Sequence, residues 1–204
     1  MAIILIHGYA RSGKTTLLSE LKKQGYVTIS TSLELEMLVL GSFRLPRYFL
    51  DILRDKDDEA LKACLKVENS KEWMSFFDEE QQEEWFPGGS DGLTCRQLKT
   101  YLAEKLFVPR YGREKLVELA MRNQFNLTID SRGLIFFETI GGEEAAFIEN
   151  RWGCGFGKVI KVNLRSRFEQ PGIDIRQLSD GMDFENKYDN PQVLVEKFLE
   201  ALNV

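Results

Sequence analysis

The chain has 204 residues, with 27 Lys and Arg against 32 Asp and Glu, one histidine and a formal net charge of −5. That length suffices for one α/β domain with a sizeable core, with or without a helical insertion. The acidic balance argues against a nucleic-acid surface, which needs a basic stripe, and three widely spaced cysteines with no C-x-x-C argue against a zinc site and read as free thiols of a reducing compartment.

Ala2-Ile3-Ile4-Leu5-Ile6-His7 has the length and β-branched content of a buried parallel strand. It follows Met1 with no basic leader region and is too short to span a bilayer, so the cytoplasm is the expected location and no membrane is expected as partner. Next comes Gly8-Tyr9-Ala10-Arg11-Ser12-Gly13-Lys14-Thr15, a complete G-x-x-x-x-G-K-T loop. Its glycines let successive N–H groups turn inward onto a polyphosphate, and the following helix adds its positive N-terminal end. Gly8, Arg11, Ser12, Gly13, Lys14, Thr15 and Thr16 are therefore the expected nucleotide-binding residues. Lys14 reaches the β- and γ-phosphates, and the Thr15 hydroxyl ligates Mg²⁺ directly. The helix carries Leu17, Leu18 and Leu21 on one face and is stopped by Gly25, and Tyr26 to Ser30 forms a second strand.

From Thr31 to Ser90 the pattern turns helical and acidic, with a solvated run from Asp78 to Glu84 and a loop from Pro87 to Gly92. Thr94-Cys95-Arg96-Gln97 reads as a capping box opening a helix with Leu98, Leu102 and Leu106 inward. A further helix is expected over Gly112 to Asn123, burying Leu116, Leu119 and Ala120. Phe125 to Asp130 reads as an apolar strand ending in an acid. Gly142 to Arg151 is helical, with Ala145, Ala146 and Ile148 as packing residues, and Lys158 to Leu164 is the next strand. Asn190 as N-cap and Pro191 at N1 open a last helix with Leu194, Val195, Phe198, Leu199 and Leu202 on an apolar stripe.

Strands alternating with helices imply an α/β fold: a P-loop kinase-like three-layer α/β/α domain over residues 1–204, with a mostly parallel sheet and a helical insertion at 31–93 on the acceptor-binding side. In such sheets ligands bind beyond the carboxyl ends of the strands, so strand-ending groups carry the chemistry. Asp130 is the candidate acid, holding Mg²⁺ through water or fixing a substrate hydroxyl or arginine; a capping aspartate is the plain alternative. Arg132 shares its cleft. Arg165 and Arg167 bracket the end of the next strand and read either as arginines of a short lid over 165–181, with Gly172 as hinge, or as a solvated surface pair. Arg96 lies in a first helical turn, where a cation is disfavoured unless an anionic ligand reconciles the two, so it reads as a phosphate clamp. Arg44, Arg47, Arg110 and Arg113 are weaker candidates, and His7 reads as a packing or hydrogen-bonding residue.

The order of phosphate loop, helical insertion, Thr94-x-Arg96 helix, Asp130-x-Arg132, Arg165 and Asn186 before a final helix resembles the bacteriophage deoxynucleoside monophosphate kinases of the adenylate-kinase-like P-loop group. The resemblance implies transfer of the γ-phosphoryl of ATP to a (deoxy)nucleoside monophosphate. It implies Lys14 and Thr15 for triphosphate and Mg²⁺, Arg96, Asp130 and Arg132 for the acceptor, and Arg165 for the transferring phosphate. Lys14, Asp130, Arg132 and Arg165 are then the catalytic set, and Asn186 lines the donor-base pocket. The expected partners are a nucleoside triphosphate and a monophosphate acceptor, with a homodimer left open. The family's L-G-T-[DE] run is replaced here by Leu102-Ala103-Glu104-Lys105, and Thr31 to Ser90 matches nothing in it.

Two rivals stand beside this reading. Asn186-Lys187-Tyr188-Asp189 fits the N-K-x-D guanine-reading pattern of GTP-driven switches, and Asp130-Ser131-Arg132-Gly133 fits their D-x-x-G, although the latter lies more than a hundred residues past the loop. A P-loop kinase with another small hydroxylated acceptor is the second, and it would need a carboxylate base such as Asp130 in place of an arginine cluster.

Overall fold

A strand that is apolar on both faces is stable only between two covering layers. β1 (Ala2–His7) is such a strand, with Ile3, Ile4, Leu5 and Ile6 each 0% exposed. The computed structural model describes residues 2–8, 12–42, 45, 47–55, 57–67, 94–125, 133–138, 142–153, 155, 157–166, 178 and 180–203. These fall into two units, residues 1–31 with 113–204, and residues 32–112.

The first unit is built on a five-stranded sheet of order β2-β3-β1-β4-β5, in which every described pairing is parallel. Its other strands are β2 (Val27–Ser30), β3 (Leu134–Glu138), β4 (Lys158–Ser166) and β5 (Met182–Asn186). The two faces of β1 divide the core. Ile4 and Ile6 pack with Leu17, Leu18 and Leu21 of α1 (Lys14–Lys23) and with Leu194, Val195 and Phe198 of the last helix (Pro191–Leu202). Ile3 and Leu5 pack with Val117 and Ala120 of the helix Arg113–Gln124 and with Ala145 and Ile148 of the helix Gly142–Ile148. Helices thus cover both faces, the three-layer α/β/α arrangement expected from the alternating pattern. Because α1 follows β1 onto one face and Gly142–Ile148 follows β3 onto the other, the topological switch point lies between β1 and β3.

Local chemistry sets the ends. Gly25, at φ 87°, lets the chain turn after α1, and the Asn190 side chain accepts from the Gln192 N–H at 2.9 Å ahead of Pro191. The helix Gly142–Ile148 continues as a π-wound turn, Glu149–Gly153; Ala146 is exposed, so the buried side of that helix is Ala145 and Ile148 rather than all three expected residues.

The second unit is helical where described: α2 (Thr31–Ser42, entering from the first unit), α3 (Phe49–Asp55), α4 (Asp58–Val67) and α5 (Cys95–Tyr101). A π-wound turn, Leu102–Phe107, leads from α5 into α6 (Val108–Tyr111). Pro109 has no N–H for the carbonyl four residues back, and the helix widens just ahead of it. The remaining helices, Arg113–Gln124, Gly142–Ile148 and Pro191–Leu202, are α7, α8 and α9 in chain order. The expected capping box is present: Thr94 Oγ1 accepts from the Gln97 N–H at 3.1 Å, and Gln97 Oε1 accepts from the Thr94 N–H at 2.9 Å. Val39, Phe49, Leu53, Leu61, Leu98 and Tyr101 form the core. Glu36, buried beside it, is held by Lys99 at 3.0 Å and by Arg54 at 3.8 Å. Burial, reinforced by Asp58, pushes the Cys95 thiol up to about 12, so it stays protonated and inert. The acidic run 78–84 and the loop 87–92 lie outside the described residues.

Phe198 is fully buried with its ring edge-on to Phe184 at 5.2 Å and 6.2 Å from Phe136, tying α9 to β5 and β3. Phe198→Ala is expected to cost about 3–5 kcal/mol in denaturant unfolding.

Candidate functional site

β1 delivers the loop. His7, buried at its carboxyl end, pairs in register with Asn163 of β4, and Gly8 follows. A Cβ on Gly8 would stand 2.4 Å from the Leu164 carbonyl oxygen and 2.7 Å from Ser12 Oγ, so the loop can leave β1 this close to β4 only without a side chain there. Tyr9, Ala10 and Arg11 lie outside the described residues. At the far end Gly13 adopts φ 94°, ψ 10° as the N-cap of α1, a left-handed conformation that costs other residues about 1–2 kcal/mol.

The helix start is electrically open. Among the described residues no side chain caps α1, and no acidic residue sits in its first turn. Its positive N-terminal end therefore meets no acidic side chain of its own first turn, which leaves it suited to an anion. The Lys14 ammonium is half-buried and donates to the Gly8 carbonyl, which lays its side chain back over the loop. Thr15 and Thr16 are exposed, and Ser12 is fully buried with no hydrogen-bond partner for its Oγ.

Across the switch point stands an acid the sequence reading passed over. Glu138 closes β3 and pairs in register with Ile6, two residues before Gly8. It is half-buried, and its Oε2 accepts from Ser30 Oγ at 2.5 Å. Ser30, at the end of β2, is itself fixed by Gln124, which accepts from its N–H and donates to its carbonyl, both at 2.8 Å. Thr31 follows, fully buried, its Oγ1 without a partner. Asp130 and Arg132 lie outside the described residues, as does part of the strand proposed for Phe125 to Asp130. Phe125 itself closes α7, donating to the Met121 carbonyl at 3.0 Å, and the strand beside β1 begins only at Leu134. The signal that could have found Glu138 was there: Leu134-Ile135-Phe136-Phe137-Glu138 is also an apolar run ending in an acid.

On the other flank, β4 extends through Arg165 to Ser166. Arg165 Nε lies 3.2 Å from Asp183 Oδ1 of β5, with its side chain 35% exposed. Residues 167–177 of the expected lid, Arg167 and Gly172 among them, lie outside the described residues. Asn186 ends β5; its Nδ2 donates to the Ser12 carbonyl at 3.1 Å and its Oδ1 accepts from the Tyr188 N–H at 3.3 Å. Both ends of the carboxamide that an N-K-x-D motif would turn toward guanine are thereby engaged. Arg96 is exposed in the first turn of α5, and Arg47 and Arg110 are exposed elsewhere in the same second unit; Arg113 pairs with Glu143 at 3.8 Å in the first unit. Arg44 lies outside the described residues.

No family model matches the chain, and no curated protein matches it. Among solved structures it is similar to the unliganded crystal structure of a sugar kinase from Janibacter sp. HTCC2649, at 11% identity and a TM-score of 0.39, covering 100% of this chain and 95% of that one. A likeness that loose bears neither on fold nor on activity. Among the described residues no helix is long and apolar enough to cross a membrane.

Gly8→Ala drives a methyl into the Leu164 carbonyl. It is expected to destabilise the protein by about 1–3 kcal/mol, read by thermal or denaturant unfolding.

Proposed function

We propose that the protein is a P-loop phosphotransferase that moves the γ-phosphoryl group of ATP to a (deoxy)nucleoside 5′-monophosphate. One observation carries the phosphotransfer half of this reading. The G-x-x-x-x-G-K-T loop leaves the central parallel strand at the switch point and passes through a left-handed Gly13 into a helix with no acid in its first turn. The monophosphate acceptor rests on the sequence resemblance.

In this reading the loop amides and Lys14 hold the β- and γ-phosphates, and no covalent nucleophile is needed, because phosphoryl transfer is governed by positioning and charge. Mg²⁺ prefers hard oxygen donors, and the chain offers the exposed Thr15 hydroxyl together with the Glu138 carboxylate across the crevice. Among the described residues no group of three His, Cys, Asp or Glu could hold a metal unaided, which suits an ion that arrives on the triphosphate. Bound there, the ion neutralises charge on the phosphate oxygens. Asp130, assigned to Mg²⁺ through water from the sequence, shares that task. The sequence resemblance assigns Arg96 and Arg132 to the acceptor phosphate. Arg165 turns to the transferring group; its ion pair with Asp183 is partly solvated and worth only about 0.2–1 kcal/mol, so a phosphate competes for it readily.

A second reading keeps the donor side and changes the acceptor to a small alcohol. It is favoured by Glu138, a carboxylate one strand from the phosphate loop that can serve as general base.

ADP formation from Mg·ATP, measured against a panel of nucleoside monophosphates and small alcohols, decides between them. Stimulation by one or a few monophosphates supports the first reading, and stimulation by alcohols alone replaces it with the second. Lys14→Ala is expected to lower turnover at least about 10²-fold with the fold intact; normal turnover removes the loop from the chemistry. Arg96→Ala is expected to raise the monophosphate KM far more than the ATP KM, and equal effects remove Arg96 from the acceptor site.

A further inference from the structure

We propose that Asn186 is a positioning residue that aims the phosphate loop, acting through the Ser12–Gly13 peptide rather than by reading a base. The inference rests on the phosphate-loop reading above. Asn186 stands at the carboxyl end of β5, two strands from β1, yet its carboxamide reaches the loop. Nδ2 donates to the Ser12 carbonyl at 3.1 Å, while Oδ1 accepts from the Tyr188 N–H at 3.3 Å. The two bonds demand the same orientation of the amide, so the Tyr188 bond sets which end faces the loop.

The consequence follows from peptide geometry. A trans peptide is planar, and its carbonyl and N–H point opposite ways. With the Ser12 carbonyl held toward Asn186, the Gly13 N–H of the same peptide faces away from Asn186. It is the N–H immediately before Lys14, in the part of the loop where donors must converge on a phosphate.

Gly13 supports the arrangement independently. Its φ of 94° favours glycine, and a Cβ there would stand 2.3 Å from Asn186 Nδ2. The second glycine of the motif is therefore fitted to this asparagine as well as to its own turn. Ser12, carrying the tethered carbonyl, is 0% exposed. Asn186 thus orders the loop before any ligand binds, so that less ordering remains to be done on binding.

The test separates a loop tether from a base reader by the ligand. Binding of Mg·ATP and of Mg·tripolyphosphate, which has no base, is measured by calorimetry for the wild type and for Asn186→Ala and Asn186→Asp, with melting curves alongside. A tether predicts that Asn186→Ala weakens both ligands by a similar factor, about 3- to 10-fold for the loss of one hydrogen bond. Asn186→Asp, which cannot donate to the Ser12 carbonyl and adds a negative charge beside the loop, weakens both further. Loss of ATP affinity with tripolyphosphate unchanged overturns the tether in favour of base contact, and unchanged affinity for both overturns it outright. If Asn186→Ala does not fold, Gly13→Ala supplies the same reading from the other side of the contact. It should weaken both ligands in the wild type and cost less in an Asn186→Asp background, where the tie to the Ser12 carbonyl is already gone; strictly additive effects overturn the proposal. Wild-type protein that binds neither ligand overturns the phosphate-loop reading itself, an outcome distinct from all of these.

Discussion

Everything in the sheet-bearing unit depends on the two-sided burial of β1. Four consecutive residues with no exposed surface require covering layers on both of its faces, as an interior strand has. Full burial of an aliphatic side chain is worth about 1.5–3 kcal/mol, so moving β1 outward would forfeit several such terms at once. Its central place puts β3 on one side and β4 on the other, and so fixes where Gly8 emerges and what stands beside it. The loop is held by a strand with no freedom to shift, and β4 lies so close that a single methyl on Gly8 would collide with it.

Around that anchor, asparagine amides do work that apolar packing cannot. Asn163, buried in β4, accepts from the Leu178 N–H at 3.0 Å and donates to its carbonyl at 3.2 Å. Asn186 does the equivalent for Ser12 and Tyr188. A carboxamide imitates a peptide group with one donor and one acceptor, so it can pair with backbone where no strand runs. Left unmet, such buried backbone groups would each cost about 1–3 kcal/mol. Polar residues at strand ends thereby give direction to loops that hydrophobic burial would leave undirected.

The sequence reading and the structure agree where signals are local. β1, α1, the capping box at Thr94 and α9 with its Asn190 cap were legible because the pattern and the terminating residue lie within a few positions of each other. β3 was not, because two apolar runs ending in acids follow one another, and only pairing with β1 distinguishes Leu134–Glu138. β5 also escaped: five residues with Asp183 and Glu185 pointing one way and only Phe184 well buried give a weak alternation. At the site, the G-x-x-x-x-G-K-T pattern is contiguous in the sequence, and the structure sets its described ends between β1 and α1. Glu138 needed the strand register, and the Asn186 contact joins positions 174 apart in the chain, a distance no motif spans.

The Asn163 clamp has one more consequence. It fastens Leu178 to β4, and the chain between them is closed by two hydrogen bonds whatever lies in its middle. Because β5 opens at Met182, four residues after Leu178, the clamp sets where the chain re-enters the sheet, and losing it should release the start of β5 as well as Leu178.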